Sequence, residues 1–176
     1  AETGPARTLI DRYATKLEGV ERSLKNASDF ATQAAKDATM LTRNKLPAQR
    51  AVDLIKSGEV ELWEKVIPAI NASTQAKTQM VQAVRQVVAD QATAKATADL
   101  FSRSIRPFLE QSGIATKAQM NMIAQNLDII QKMQIPDPQK LGIVKRMLMQ
   151  ATGGWASSAA GRGMSYGYNE LTGVPL

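Results

Sequence analysis

Apolar residues recur through the first part of the chain at alternating intervals of three and four positions. This spacing puts them on one face of an α-helix and predicts a helix over residues 5–42. The series consists of Ile10, Tyr13, Leu17, Val20, Leu24, Ala27, Ala31, Ala34, Ala38 and Leu41. Its first half is large and its second half is mostly alanine. We therefore expect it to pack against another helix, most closely along the alanines.

The same alternation returns later and predicts a second long helix over about residues 71–111, kinked in its last turn at Pro107. Its predicted packing face comprises Met80, Val84, Val87, Gln91, Ala94, Ala98, Phe101, Ile105 and Phe108, all of them apolar except Gln91. At about 1.5 Å per residue the two helices measure roughly 57 and 61 Å. A compact globule of this chain length is only about 40 Å across. The pattern therefore predicts an elongated helical hairpin or bundle.

Shorter helices are predicted between the breaks in the pattern. One ends at Gly58, the next ends or kinks at Pro68, a third begins at a Thr116 cap, and a fourth runs from Asp137 to about residue 151. The third helix carries Met120, Ile123, Leu127 and Ile130 on one face. No strand pattern is evident. The predicted fold class is all-α, with two long and about three shorter helices.

The end of the chain differs in composition, because it is rich in glycine and aromatic residues and poor in charge. We therefore divide the chain into a helical assembly domain, residues 1–150, and a C-terminal arm, residues 151–176. Aromatic side chains beside Arg162 could stack on nucleic-acid bases. We favour an arm that packs on a neighbouring subunit through Trp155, Tyr166 and Tyr168.

The chain contains no histidine and no cysteine. It therefore has no thiolate nucleophile, no Ser-His-Asp triad and no imidazole or thiolate metal ligand. The densest acidic cluster, Glu59, Glu61 and Glu64, lacks the histidines that carboxylate metal sites use in helical bundles, so we interpret it as a solvated face. We predict no catalytic residues, no metal and no cofactor.

The net charge is +6, from 22 Lys and Arg against 16 Asp and Glu. This balance favours anionic partners, and most of the excess lies in residues 67–176. Cations spaced along helices can follow a phosphate backbone. The alternative is a basic face balanced by its neighbours. The predicted nucleic-acid contacts are Arg43, Lys45, Arg50, Lys77, Arg85, Lys95, Arg103, Arg106, Lys145, Arg146 and Arg162.

The last third of the chain resembles the carboxyl-terminal regions of the all-helical major coat proteins of rod-shaped and filamentous archaeal viruses. The resemblance rests on the segments Gly142–Arg146, Gly161–Tyr168 and Leu171–Leu176, and on a small, basic chain free of cysteine and histidine. It implies that subunits pair and wrap double-stranded DNA, held in the A form, inside a helical filament. Basic residues of the long helices would line the DNA, and the tail would lock subunits together.

These observations favour a structural protein of a virion that self-assembles through long helices and contacts nucleic acid, with double-stranded DNA as the favoured type. Its partners would be that nucleic acid and other copies of itself or a paralogous subunit, with no small-molecule substrate. One alternative is a phage internal or ejection protein, or an amphipathic helical protein of a membrane or granule surface. A carboxylate- or lysine-based enzyme is a further alternative, for which the sequence offers no constellation.

Overall fold

The amphipathic segment at the start of the chain forms one long helix, α1 (Gly4–Thr42), as its spacing predicts. The structure, a computed structural model, describes residues 4–159. The elements that follow are α2 (Ala48–Ser57), α3 (Val60–Asn71), α4 (Thr74–Asp90), α5 (Ala94–Leu100), a π-helical turn (Phe101–Ile105), α6 (Arg106–Gln111), α7 (Lys117–Lys132) and α8 (Asp137–Ala159). The described residues contain helices and no strand, which confirms the all-α fold class.

Local signals fix several helix ends where the sequence predicts them. Gly58 follows α2 in the left-handed conformation, with φ of 60°, which glycine adopts without steric cost. Thr116 opens α7 with a capping box, in which the Thr116 side chain accepts from the Gln119 backbone and the Gln119 side chain accepts from the Thr116 backbone. Within α7 the buried side chains are those predicted from spacing, Met120, Ile123, Leu127 and Ile130.

The predicted second long helix is wrong, because that segment forms α4, α5, the π-helical turn and α6 in succession. Backbone in the extended region at Gln91 ends α4, and the Thr93 hydroxyl accepts from Ala96 N at 3.0 Å to begin α5. The wide π-helical turn lies just before Pro107, whose ring cannot follow an ordinary α-helical turn. Among residues 4–159, α1 is therefore the one helix close to the length predicted for two, and the expected hairpin of two long helices does not form there.

Two predicted boundaries fall inside helices. α3 continues through Pro68 to Asn71, and α8 continues past residue 151 to Ala159. α8 extends because Leu148, Ala151, Trp155 and Ala159 recur at helical spacing and are all buried. Trp155 is fully buried in the core of the protomer, so it is not available for the predicted packing on a neighbouring subunit. Arg162, Tyr166 and Tyr168 lie outside the described residues.

The core lies between α2, α3, α4 and the helices that follow them. α4 packs along α8 on one side and α2 on the other, while α3 packs against both α1 and α4. Trp63 of α3 and Phe108 of α6 stack with ring centroids 5.4 Å apart, and both are buried. α1 therefore reaches the core mainly through α3. Between residues 4 and 159, no helix is long and apolar enough to cross a membrane.

Candidate assembly and nucleic-acid interfaces

The first half of α1 carries an apolar stripe that nothing in the described protomer covers. We call Ile10, Tyr13, Leu17, Val20 and Leu24 the α1 stripe. Each of these side chains is between 55% and 66% exposed. They are the first members of the apolar series that predicts the helix. Later members of this series are buried, whereas these five are exposed. Apolar side chains aligned in this way mark an interaction surface.

The seam becomes buried where α3 begins to cover it. Ala34 and Leu41 on the same seam are fully buried, and α1 packs chiefly on α3. Asp29 and Gln33 of α1 line one cavity with Leu62 in the first turn of α3. At the other end the Asn44 side chain contacts Gln75, just beyond α3.

Because α1 also packs along α3, these positions indicate that α3 runs in the same direction as α1 and that its first turn lies near residues 29–33. The part of α1 before that level projects past α3. From Gly4 to residue 28 this projecting part measures roughly 37 Å at about 1.5 Å per residue.

An ion pair between a buried carboxylate, Asp37, and a partly exposed guanidinium, Arg50, joins the covered half of α1 to α2. Asp37 is only 2% exposed and accepts from Arg50 Nη2 at 2.7 Å and from Arg50 Nε at 3.3 Å. Gln33 Nε2 also donates to Asp37, at 3.0 Å. The hydrogen bond to Asp37 raises the pKa of Arg50, with further contributions from the Asp37 and Asp53 charges. Arg50 therefore keeps its charge at every pH below the ordinary arginine pKa. Its guanidinium is engaged in the contact with Asp37 that joins α2 to α1.

Other predicted nucleic-acid residues also bond within the protomer, and two of them cap helix ends. Arg103 Nη1 donates to the carbonyls of Lys56 and Ser57 at 3.0 Å each, at the end of α2. Lys145 Nζ donates to the Ala89 carbonyl at 2.6 Å, at the end of α4. A cation at a helix C-terminus satisfies free carbonyls and favours the helix dipole.

Arg106 and Lys140 show the same tendency of basic side chains to bond locally. Arg106 Nε pairs with Glu110 at 2.9 Å, and Arg106 also donates to Asn121. Lys140 Nζ caps α7 by donating to the Gln131 carbonyl at 2.7 Å. Sequence reasoning placed Arg50, Arg103, Arg106 and Lys145 on nucleic acid without finding these partners.

The structure brings three predicted residues to the end of the protomer away from the α1 stripe. Arg43 and Lys45 lie exposed in the turn after α1, and Lys77 lies at the start of α4. Contact of Asn44 with Gln75, and of Gln79 Nε2 with the Leu46 carbonyl at 2.5 Å, holds this turn against α4.

We call Arg43, Lys45 and Lys77 the cationic end. Among the described residues none of these three side chains has a hydrogen bond or ion pair. The first turn of α4 contains no acidic residue, and the positive end of its dipole lies beside Lys77. The remaining predicted contacts, Arg85, Lys95 and Arg146, are exposed on α4, α5 and α8 respectively.

The acidic cluster predicted at Glu59, Glu61 and Glu64 does not form a metal site in the described part of the chain. Glu59 and Glu64 are exposed at the start of α3. Among the described residues no group of three or more acidic side chains is arranged to hold a metal ion.

The chain has no match among protein-family models, curated proteins or solved structures. The α1 stripe and the cationic end are the surfaces of the described protomer that bear on its function.

Proposed function

We propose that this protein is a structural subunit of a virion, a coat or nucleoprotein subunit that assembles through α1 and contacts double-stranded DNA. The observation that carries the proposal is the α1 stripe, since those side chains contribute nothing to the core of the described protomer. A projecting helix with one apolar face is suited to joining subunits.

The size of the stripe indicates that each subunit needs more than one such contact for a stable assembly. Fully burying a large aliphatic or aromatic side chain contributes about 1.5–3 kcal/mol, and these side chains have roughly half of that still to gain. Two stripes together would contribute on the order of 10 kcal/mol. Association costs about 4–15 kcal/mol, so one contact alone is marginal. Assemblies in which each subunit makes several contacts fit this balance.

The cationic end supports the nucleic-acid part of the proposal. Arg43, Lys45 and Lys77 lie together without partners in the described residues, unlike several other basic side chains of the protomer. Phosphate contacts made by such side chains release counterions, so DNA affinity would fall with salt. The resemblance of the chain's ending to archaeal viral coat proteins agrees with this function.

A direct test measures binding of the purified protein to duplex DNA against salt concentration by fluorescence anisotropy, with electron microscopy of the same mixtures. The expected result is ordered assembly on DNA and a log–log slope that becomes shallower by about 2.7 when Arg43, Lys45 and Lys77 are changed to Gln, at roughly 0.9 per phosphate contact. The matched control changes Arg12, Arg22 and Lys25, exposed cations of the projecting part of α1, to Gln. That control should keep the slope. Absence of DNA binding at about 50 mM salt would contradict the nucleic-acid role.

A membrane- or granule-surface protein is the second candidate, because the same stripe belongs to an amphipathic helix. Arg12, Arg22 and Lys25 lie on the polar side of this helix, as in helices that lie at anionic lipid surfaces. Co-sedimentation with vesicles of anionic and of neutral lipid distinguishes the candidates. Binding to anionic vesicles that is stronger than binding to DNA would favour the second candidate over the first.

A further inference from the structure

We infer that the α1 stripe pairs with the α1 stripe of a second copy in antiparallel orientation, about a two-fold axis near Thr15. The inference rests on the proposed function only in its premise that α1 joins subunits. It adds the identity of the partner, the direction of pairing and the register.

The position of α3 excludes the parallel arrangement. In a parallel pair the partner helix would continue along the same seam, at 8–10 Å between axes, beside Ala34 and Leu41. That side of α1 is already covered by α3, and both residues are fully buried. Two parallel helices would have to diverge abruptly between Leu24 and Ala34. An antiparallel partner instead places its own α3 at the far end of the pair, and the two bodies do not meet.

One register buries every residue of the α1 stripe and also keeps the partner helix clear of the start of α3. Setting Tyr13 opposite the partner's Leu17 also sets Ile10 opposite the partner's Val20, and Leu24 opposite Ala6. Every member of the stripe is then buried between the helices, as in antiparallel packing of a heptad pattern. The partner's α1, which begins at Gly4, would begin opposite residue 26. Since α3 begins beside residues 29–33, the partner helix fits the uncovered length.

Charge provides a discriminating feature within this register. Arg7 lies beside the partner's Glu21, which is favourable, while Lys16 lies beside the partner's Lys16, which is not. A parallel pair would set Lys16 beside Glu21 and so would be favoured by charge alone. Exposed ion pairs contribute little, whereas overlap with α3 prevents the parallel arrangement, so the steric argument decides the orientation. Removing the charge of Lys16 should therefore strengthen association in an antiparallel pair and weaken it in a parallel pair.

A second copy fits the stripe better than the chain's own ending does. A straight row of side chains at heptad spacing is matched by another helix with the same spacing. Residues 160–176 contain four glycines and a proline, which are poor helix formers. The partner chemistry that matches the stripe is therefore the stripe itself.

The orientation can be measured with spin labels, since the chain has no cysteine and single cysteines can be placed cleanly. Thr15→Cys and Arg22→Cys place labels on the side of α1 away from the stripe. Double electron–electron resonance on each labelled full-length protein gives the distance between copies. We expect the Arg22 labels to be separated along the helix axis by about 21 Å more than the Thr15 labels, at about 1.5 Å per residue. Equal distances, or no distance between copies at either site, would overturn the inference.

Variants at the stripe provide an independent readout in sedimentation velocity. Leu17→Glu should abolish association while the protomer keeps its thermal unfolding midpoint, because Leu17 lies outside the core. Gly19→Glu adds the same charge on another side of the helix, where a side chain meets nothing within 4 Å, and should leave association unchanged. Lys16→Gln should tighten association several-fold. A weakening by Lys16→Gln, or equal effects of the two Glu variants, would overturn the antiparallel pair.

Failure of this inference and failure of the proposed function give different results. Antiparallel label distances in protein that does not bind DNA would leave the inference intact and remove the nucleic-acid role. DNA-dependent filaments with equal label distances would keep the proposed function and overturn the antiparallel pairing.

Discussion

The contact between Asp37 and Arg50 makes the stability of the protein sensitive to a single substitution, because one cation compensates the charge of a buried carboxylate. Arg50→Gln leaves Asp37 buried with only the weaker Gln33 contact. Removing one member of a buried pair costs about 3–5 kcal/mol, and we expect about 2–4 kcal/mol here since the Arg50 side chain is 33% exposed. Urea unfolding measures this change. Arg43→Gln, an exposed cation without a partner among the described residues, should change the free energy of unfolding by less than about 0.5 kcal/mol.

Gly58 offers a second prediction at this scale. It has a φ of 60°, and a Cβ at this position would lie 2.5 Å from Arg103 Nη1, the atom that caps α2. Gly113 has a φ of 69° with nothing within 4 Å of a Cβ, so Gly113→Ala measures the conformational cost alone. We expect about 1 kcal/mol of destabilisation for Gly113→Ala and about 2 kcal/mol or more for Gly58→Ala, by denaturant unfolding. Equal losses would show that displacing Arg103 costs nothing.

The roles of individual basic residues could not be read from the sequence. Arg103 lies 46 and 47 positions from the carbonyls that it caps, and Lys145 lies 56 positions from its carbonyl. Such pairs form only when the helices pack, whereas composition and charge count every cation alike. Local signals were readable, because Thr116 and Gly58 act on neighbouring backbone.

Helix faces were more predictable than helix lengths. The buried face of α7 follows from its spacing, because apolar residues that recur every three or four positions lie on one side of a helix and are buried together. The break between α4 and α5 contains neither proline nor glycine, and the three- and four-residue spacing continues across it from Val87 through Gln91 to Ala94. Thr93 was the available signal, since a threonine can cap a new helix as readily as it can lie inside one.

The two halves of α1 have the same sequence pattern but belong to different parts of the molecule. Leu17 is 62% exposed on the projecting part, while Leu41 is fully buried. Leu41→Ala should destabilise the protein by about 2–5 kcal/mol, through lost burial and a cavity. Leu17→Ala should leave the unfolding midpoint of the isolated protomer unchanged and weaken only its self-association. Thermal unfolding at low protein concentration compares the two variants, and a similar loss from both would show that the projecting part contacts the body.

At the scale of the whole molecule, α1 separates two surfaces. The α1 stripe occupies the helix from Ile10 to Leu24, and the cationic end lies just past the last residue of the helix, Thr42. In the antiparallel pair centred near Thr15, each Arg43 lies about 28 residues from the axis, which is roughly 42 Å at about 1.5 Å per residue. The two cationic ends of a pair would thus lie about 84 Å apart. Pairing therefore converts one small basic surface into two surfaces at a fixed separation.

This separation predicts a dependence of affinity on DNA length. At about 3.4 Å per base pair, 84 Å corresponds to roughly 25 base pairs. Duplexes shorter than this contact one end of a pair at a time, while longer duplexes contact both, and the second contact gains from effective concentration. We expect the affinity per duplex to rise sharply, by about tenfold or more, as the length passes this span.

Leu17→Glu provides the control for the length dependence, because it removes pairing and keeps the cationic end. Its affinity should increase only gradually with DNA length, in proportion to the number of available sites. Anisotropy titrations with duplexes of about 12 to 40 base pairs, at one salt concentration, compare the two proteins. A step in the unsubstituted protein that persists in Leu17→Glu would show that the two DNA contacts belong to one subunit, and the antiparallel pair would then have no part in nucleic-acid binding.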